Sequence, residues 1–121
     1  MAQSKPVTVG IVGLGRIGWN HHAKILKDHP LFEVTACVDP LEERRAEAAD
    51  ALGCETFPGL QDFLASESAE LAIICTRSVD HYQHTIAALL AGLHVVVEKP
   101  FAMSVDEADK MISAAQKAHR I

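Results

Sequence analysis

Three stretches of this chain carry residue types whose spacing could do chemistry. The first is Gly13-Leu14-Gly15-Arg16-Ile17-Gly18, a G-x-G-x-x-G pattern. Its first glycine suits a tight turn, its second lets backbone approach a pyrophosphate, and its third allows a helix to pack closely on a strand. Gly13, Gly15, Arg16, Ile17 and Gly18 are therefore candidate contacts to a dinucleotide, at a helix start whose free N–H groups and positive dipole face an anion. The second is Asp39, which falls 21 positions after Gly18. A carboxylate there can accept hydrogen bonds from adenine-ribose hydroxyls. It would also repel a 2'-phosphate, since like charges about 4 Å apart at an effective dielectric near 20 cost on the order of 4 kcal/mol. The expected cofactor is NAD in preference to NADP. The third stretch is Glu98-Lys99-Pro100. A lysine held near a nicotinamide could polarise a substrate carbonyl, or stabilise an alkoxide as hydride leaves. By itself the triplet fits a solvated loop equally well.

These groups need elements to position them. Val7 to Val12 is too apolar to alternate and too short for a typical helix, so it reads as a strand buried on both faces that feeds the glycine loop. Ile17 to His29 reads as a helix stopped by Pro30, with Trp19, Ala23 and Leu26 on one face. Phe32 to Val38 is a second strand closing on Asp39. Leu41 to Leu52 is a helix with Leu41, Ala48, Ala49 and Leu52 inward and Gly53 as its left-handed cap. Cys54 to Phe57 is a short strand, and Leu60, Phe63 and Leu64 mark a short helix after Pro58-Gly59. Leu71 to Cys75 is the fourth strand. Asp80 is placed to cap a helix carrying Tyr82, Ile86, Leu89 and Leu90, closed by Gly92. Val95 to Val97 is the fifth strand. A capping box at Ser104 and Glu107 opens a last helix with Val105, Ala108, Met111, Ile112 and Ala115 inward, ending near Ala118.

Strands alternating with helices at this spacing predict an α/β fold, a Rossmann-type doubly wound parallel sheet in the order 3-2-1-4-5 over residues 1–121. The cofactor would lie at the carboxyl ends of strands one and four. A bare Val-Val-Val edge on strand five invites pairing with another chain. A sixth strand is expected where the sequence stops, so a fragment of a longer two-domain protein, or a homo-oligomer that shields the edge, is expected.

Composition narrows the partners. With 121 residues the chain can bury a single core without staples, and its net charge of -5 offers no basic stripe for nucleic acid or an anionic membrane. Met1 to Lys5 reads as a loose leader without the apolar core of a signal peptide, and a cytoplasmic setting is expected. Cys37, Cys54 and Cys75 read as packed, reduced thiols. Four histidines, His21, His22, His81 and His84, invite a metal, but zinc needs three or four converging ligands, and helix capping or cleft lining fits them better. No metal is expected. Trp19 is expected to pack under the first helix, or against a missing domain, rather than stack on a ligand.

Nearly the whole chain resembles the amino-terminal half of the glucose-fructose oxidoreductase, inositol dehydrogenase and rhizopine-catabolism (Gfo/Idh/MocA) family. The resemblance rests on GLGRIG at Gly13 to Gly18, on Asp39-Pro40, and on His81 followed by AALLAGLHVVVEKP at Ala87 to Pro100. It implies that Lys99 lies close to nicotinamide and substrate and takes part in catalysis. It also implies that Pro100 fixes the turn, with a cis peptide before it; that Thr76 and the following loop, Ser78 included, meet the cofactor; that Glu98 sits near the nicotinamide end; and that His81 matches a histidine common after strand four. Where members often show Thr-Pro-Asn, this chain has Thr76-Arg77-Ser78, which leaves contacts there open. The resemblance implies an NAD(P)-dependent oxidoreductase acting on the hydroxyl of a sugar, inositol or related polyol. The substrate domain of such enzymes is absent from this chain, so little turnover is expected of it alone. A non-catalytic NAD(P)-binding or sensing module is the alternative. A methyltransferase, which also uses a glycine loop and an acid ending strand two, is disfavoured by the E-K-P triplet.

Overall fold

The apolar runs become strands: β1 Val7–Val12, β2 Phe32–Val38, β3 Glu55–Phe57, β4 Leu71–Ile74 and β5 His94–Val97. In the computed structural model, which describes residues 5–121, every pairing is parallel and the order is β3-β2-β1-β4-β5, as the alternation of strand and helix predicts. Residues 1–4 of the expected leader lie outside the described part. Four helical crossovers connect the strands, α1, a segment Arg16–Ala23 continued by Lys24–Leu26, then α2 Glu42–Leu52, α3 Leu60–Ser66 and α4 His81–Leu90, and α5 Val105–Ala118 follows β5.

Helices on both faces divide the core in two. Val9, Ile11, Leu14, Ala23, Val34, Cys37, Ala48 and Ile73 pack on one side of the sheet, with Trp19 against them, and Val12, Ala36, Val38, Phe63, Ala72, Ile74, Ala88 and Leu93 on the other. Burying each large aliphatic or aromatic side chain of this kind contributes about 1.5–3 kcal/mol. Gly10 opens a slot in β1 that the Phe63 ring of α3 fills, since a β-carbon there would fall inside the ring. Beside it β1 and β2 slip register between Val9 and Gly10, leaving Thr35 unpaired in the ladder; its hydroxyl donates to the Ser68 carbonyl at 2.6 Å.

Several local expectations give way. The first helix ends at Leu26 rather than running to His29, and its opening turns, Arg16–Ala23, are wound wider than an α-helix, with π-type geometry. Asp80 does not cap α4 with its side chain; a 3₁₀ turn over Ser78–Asp80 precedes the helix, and the Asp80 carboxylate takes Arg77 Nε at 3.2 Å instead. Leu41, Ala49, Val105 and Ile112 are exposed rather than inward. Leu41 precedes α2 in extended backbone, Val105 occupies the first turn of α5, and Ile112 borders the groove beside β5 with Val97 and Phe101. Half of the capping box forms as expected, Ser104 Oγ accepting from Glu107 N–H at 3.1 Å, while Glu107 Oε1 accepts from the N–H of Met103, one residue before the cap, at 3.0 Å. On the outer side of β5, Val95 N–H donates to the Ile121 carbonyl at 2.9 Å.

Candidate functional site

Parallel strands leave their carboxyl ends on one edge, and there the loops after β1, β2 and β4 enclose a cleft of about 470 Å³ lined by Gly13, Gly15, Asp39, Arg44, Thr76 and Arg77, among others. The glycine loop forms its floor. Gly13 adopts φ +98°, where a side chain is strained, and a β-carbon would stand 2.8 Å from the Cys75 carbonyl oxygen. Gly18 is buried, and a β-carbon on it would overlap the Gly13 carbonyl, so helix and loop can approach this closely only with glycine. Nothing lies within 4 Å of a β-carbon built on Gly15, which leaves its backbone open to the cleft. Arg16 and Ile17 are exposed at the start of α1.

Asp39 is nearly sealed, 3 % exposed, and stitches this side together. One carboxylate oxygen accepts from Leu14 N–H and the other from Leu41 N–H, both at 2.9 Å, while Arg44 Nη1 approaches to 3.5 Å. An ionised carboxylate offers about four acceptor positions, so two backbone donors and the longer Arg44 contact leave room for one ribose hydroxyl, or for two if Arg44 swings away. The same residue can thus fix the glycine loop and read a sugar.

The opposite side is built from the ends of β4 and β5. Glu98 follows β5 with its N–H on the Ile74 carbonyl, and its carboxylate reaches across to α1, where Oε1 meets His22 Nε2 at 2.7 Å. Its second oxygen accepts from Lys99 N–H at 3.2 Å. The hydrogen bond from His22 holds the Glu98 carboxyl below its usual range, with Lys99 N–H and the charge of His21 adding to the effect against a desolvation cost. Burial, then the Glu98 charge, pushes the neighbouring Cys75 thiol up to about 12, which favours the neutral thiol over the thiolate. The Cys37 thiol is likewise raised, by its hydrogen bond with Cys54 and by burial. Lys99 is exposed, and the peptide joining it to Pro100 is cis.

Thr76 is gripped by α4. Its hydroxyl pairs with His84 Nδ1 at 2.8 Å and its carbonyl with His81 Nε2 at 2.9 Å, while His81 Nδ1 reaches the Pro100 carbonyl at 2.8 Å. Burial, partly countered by the Asp80 charge, lowers the His84 pKa. Ser78 opens the 3₁₀ turn beyond Thr76, and Arg77 points outward, its side chain 82 % exposed. The structure therefore brings Gly13, Gly15, Asp39 and Thr76 to one cleft, with Glu98, Lys99 and Pro100 beside it. His81 lies behind it, 1 % exposed, with its ring nitrogens on protein carbonyls. The contacts that sequence reasoning missed are those of His22 and His84. Their one signal was histidine at i, i+3 in α4 and a His-His pair in α1, which spacing alone cannot assign to partners 8 and 76 positions away.

Comparison with known proteins agrees with this geometry. The family model described as "Oxidoreductase family, NAD-binding Rossmann fold" (GFO_IDH_MocA) matches residues 7–121. The chain is 33% identical over 112 residues to UDP-N-acetylglucosamine 3-dehydrogenase of Acidithiobacillus ferrooxidans, a match covering 93% of this chain and 34% of the relative. Among solved structures it is similar to the WlbA dehydrogenase from Bordetella pertussis in complex with NADH and UDP-GlcNAcA, with TM-score 0.88 and 32% identity over 96% of this chain and 36% of that one. It is also similar to a 3-ketoreductase from Actinomadura kijaniata in complex with NADP, with TM-score 0.92 and 26% identity over 97% of this chain and 37% of the other. The chain thus spans about a third of the length of the relatives it matches.

Proposed function

This chain belongs to the Gfo/Idh/MocA oxidoreductase family, with an NAD(P)-binding Rossmann domain, and from that premise we propose that it is the cofactor half of an enzyme moving hydride between nicotinamide and a hydroxyl-bearing carbon of a sugar, inositol or related polyol. The observation that carries this reading is the cleft itself: an open Gly15 backbone and an ionisable Asp39 on its wall, with Lys99 exposed in the turn after β5, which His81 ties through the Pro100 carbonyl to Thr76 of the cleft. One relative named above is a UDP-N-acetylglucosamine 3-dehydrogenase and another was solved with UDP-GlcNAcA, which supports the substrate class. Gly15, Arg16 and Ile17 would hold the diphosphate through backbone N–H groups, with Gly13, whose own N–H is taken by the Val38 carbonyl at 2.8 Å, and buried Gly18 shaping the loop; Asp39 would hold the adenosine ribose, and Thr76 and Ser78 the segment toward the nicotinamide.

The nicotinamide, when bound, supplies the hydride acceptor or donor. Lys99 then bears on the reacting oxygen. Its ammonium stabilises negative charge as an alcohol loses its proton, or polarises a carbonyl in the reverse direction. Glu98, anchored to His22, keeps the Lys99 backbone N–H engaged, so the side chain leaves a fixed point. A further domain, for which relatives about three times as long have room, would complete the substrate pocket and shield the exposed Val96 edge, alone or with a second copy of the chain. Three free cysteines suit the reducing cytosol.

Among relatives both NADH and NADP occur, so cofactor choice rests on Asp39. Calorimetric titration should give tighter binding of NADH than NADPH, and binding of neither would end the proposal. In a form carrying the substrate domain, Lys99→Met should lower turnover about a hundredfold or more with NADH affinity little changed. Lost NADH affinity with turnover intact would remove Lys99 from the chemistry.

A further inference from the structure

His81 is the most deeply buried polar ring in the molecule, 1 % exposed, and nothing in the hydride chemistry above uses it. Its two ring nitrogens face two backbone carbonyls, of Thr76 at 2.9 Å and of Pro100 at 2.8 Å. A carbonyl oxygen only accepts, whereas a neutral imidazole has one donor nitrogen and one acceptor nitrogen. In either neutral tautomer one nitrogen lone pair would point at an oxygen lone pair at hydrogen-bond distance. Only a ring protonated on both nitrogens satisfies both carbonyls.

We infer that His81 is a doubly protonated strut that ties the loop after β4 to the Lys99–Pro100 turn after β5, so that the two loops move as one. A buried charge is costly unless it is hydrogen-bonded, and here both of its donors are used in charge-assisted bonds, which are roughly twice as strong as neutral ones. The neighbouring His84 fits the same division of labour. Its pKa is lowered chiefly by burial, with the His81 charge adding to that, and it pairs as a neutral ring with the Thr76 hydroxyl. Thr76 is thus held at its carbonyl by a cation and at its hydroxyl by a neutral histidine. Other charged groups around the strut are Asp80 on the preceding turn, which is paired with Arg77, and Lys99 beside Pro100. No carboxylate is hydrogen-bonded to the His81 ring among the described residues.

The charge state of the strut is independent of the proposed activity; its effect on the cofactor rests on that reading. Long-range proton–nitrogen correlation on the full nitrogen-15-labelled chain, without cofactor and at neutral pH, reads the state directly. A proton on each His81 ring nitrogen is expected, and a single N–H with one bare nitrogen would overturn the inference. Because this measurement uses the unaltered chain, it stands even where a variant fails to fold. As a second arm, His81→Gln presents donors from one nitrogen only, and NADH affinity should fall about tenfold. Affinity equal to the parent would show that the loops do not depend on the strut. Absence of NADH binding in the parent would instead count against the proposed function, leaving the strut to be judged on the ring nitrogens.

Discussion

The two sides of the cleft are held together by different means. On the side of β1 and β2, a single carboxylate, Asp39, accepts N–H groups of the glycine loop and of the residue before α2, and every partner lies within 25 positions. On the side of β4 and β5, three histidines from two helices bind the loops, and the link from His22 to Glu98 spans 76 positions. The first side is a local design fixed by backbone shape. The second exists only once α1 and α4 have docked, so its geometry depends on tertiary packing and on imidazole protonation.

That contrast can be broken or sharpened by substitution, and the largest effect belongs to the backbone-defined side. Gly18→Ala puts a methyl group onto the Gly13 carbonyl, with no flexible side chain to yield, and should destabilise the fold by about 3 kcal/mol in urea titration. A loss below about 1 kcal/mol would mean that α1 can slide, and that this side is less rigid than its contacts imply. Asp39→Ala strips acceptors from two N–H groups, the buried Leu14 one above all, and should cost about 2 kcal/mol while narrowing any preference for NADH over NADPH. An unchanged cofactor ratio would confine Asp39 to a structural role.

On the histidine side, His22→Leu should show its effect through pH. Because the folded Glu98 carboxyl lies below its usual value, its contribution is complete above the unfolded value near 4.5 and fades as pH falls through the folded one. The melting-temperature gap between parent and His22→Leu should therefore be widest near pH 6 and close toward pH 3. A gap constant over that range would show that His22 acts by packing alone. Ser104→Ala, distant from both sides, serves as the reference: losing one N-cap acceptor should cost about 1 kcal/mol and leave NADH affinity unchanged.

The same division explains what could be read in the sequence. Strand order and the glycine loop were legible because apolar runs, turn residues and spacing are local signals, and Asp39 was legible because it ends a strand at a fixed interval. The role of Asp39 as an anchor for Leu14 was not, since hydrogen-bond partners emerge only when β1 and β2 align. The wide winding of Arg16–Ala23 left no trace in residue types, and it is this segment that carries His22 to Glu98. Ile112 and Val105 satisfied the helical period of α5, yet periodicity counts apolar positions without knowing which neighbour covers them.

The Phe63 ring seated over Gly10 has a consequence for how this sheet can change over time. Enlarging position 10 alone drives a methyl group into an aromatic ring, and trimming position 63 alone leaves a void between α3 and the sheet, so each single step is harmful. A methyl at one and a smaller residue at the other can coexist, which makes the two sites partners that drift together or not at all. Sequences descended from a common ancestor should therefore show either glycine with an aromatic or a bulkier residue with a slimmer one, and seldom the crossed combinations.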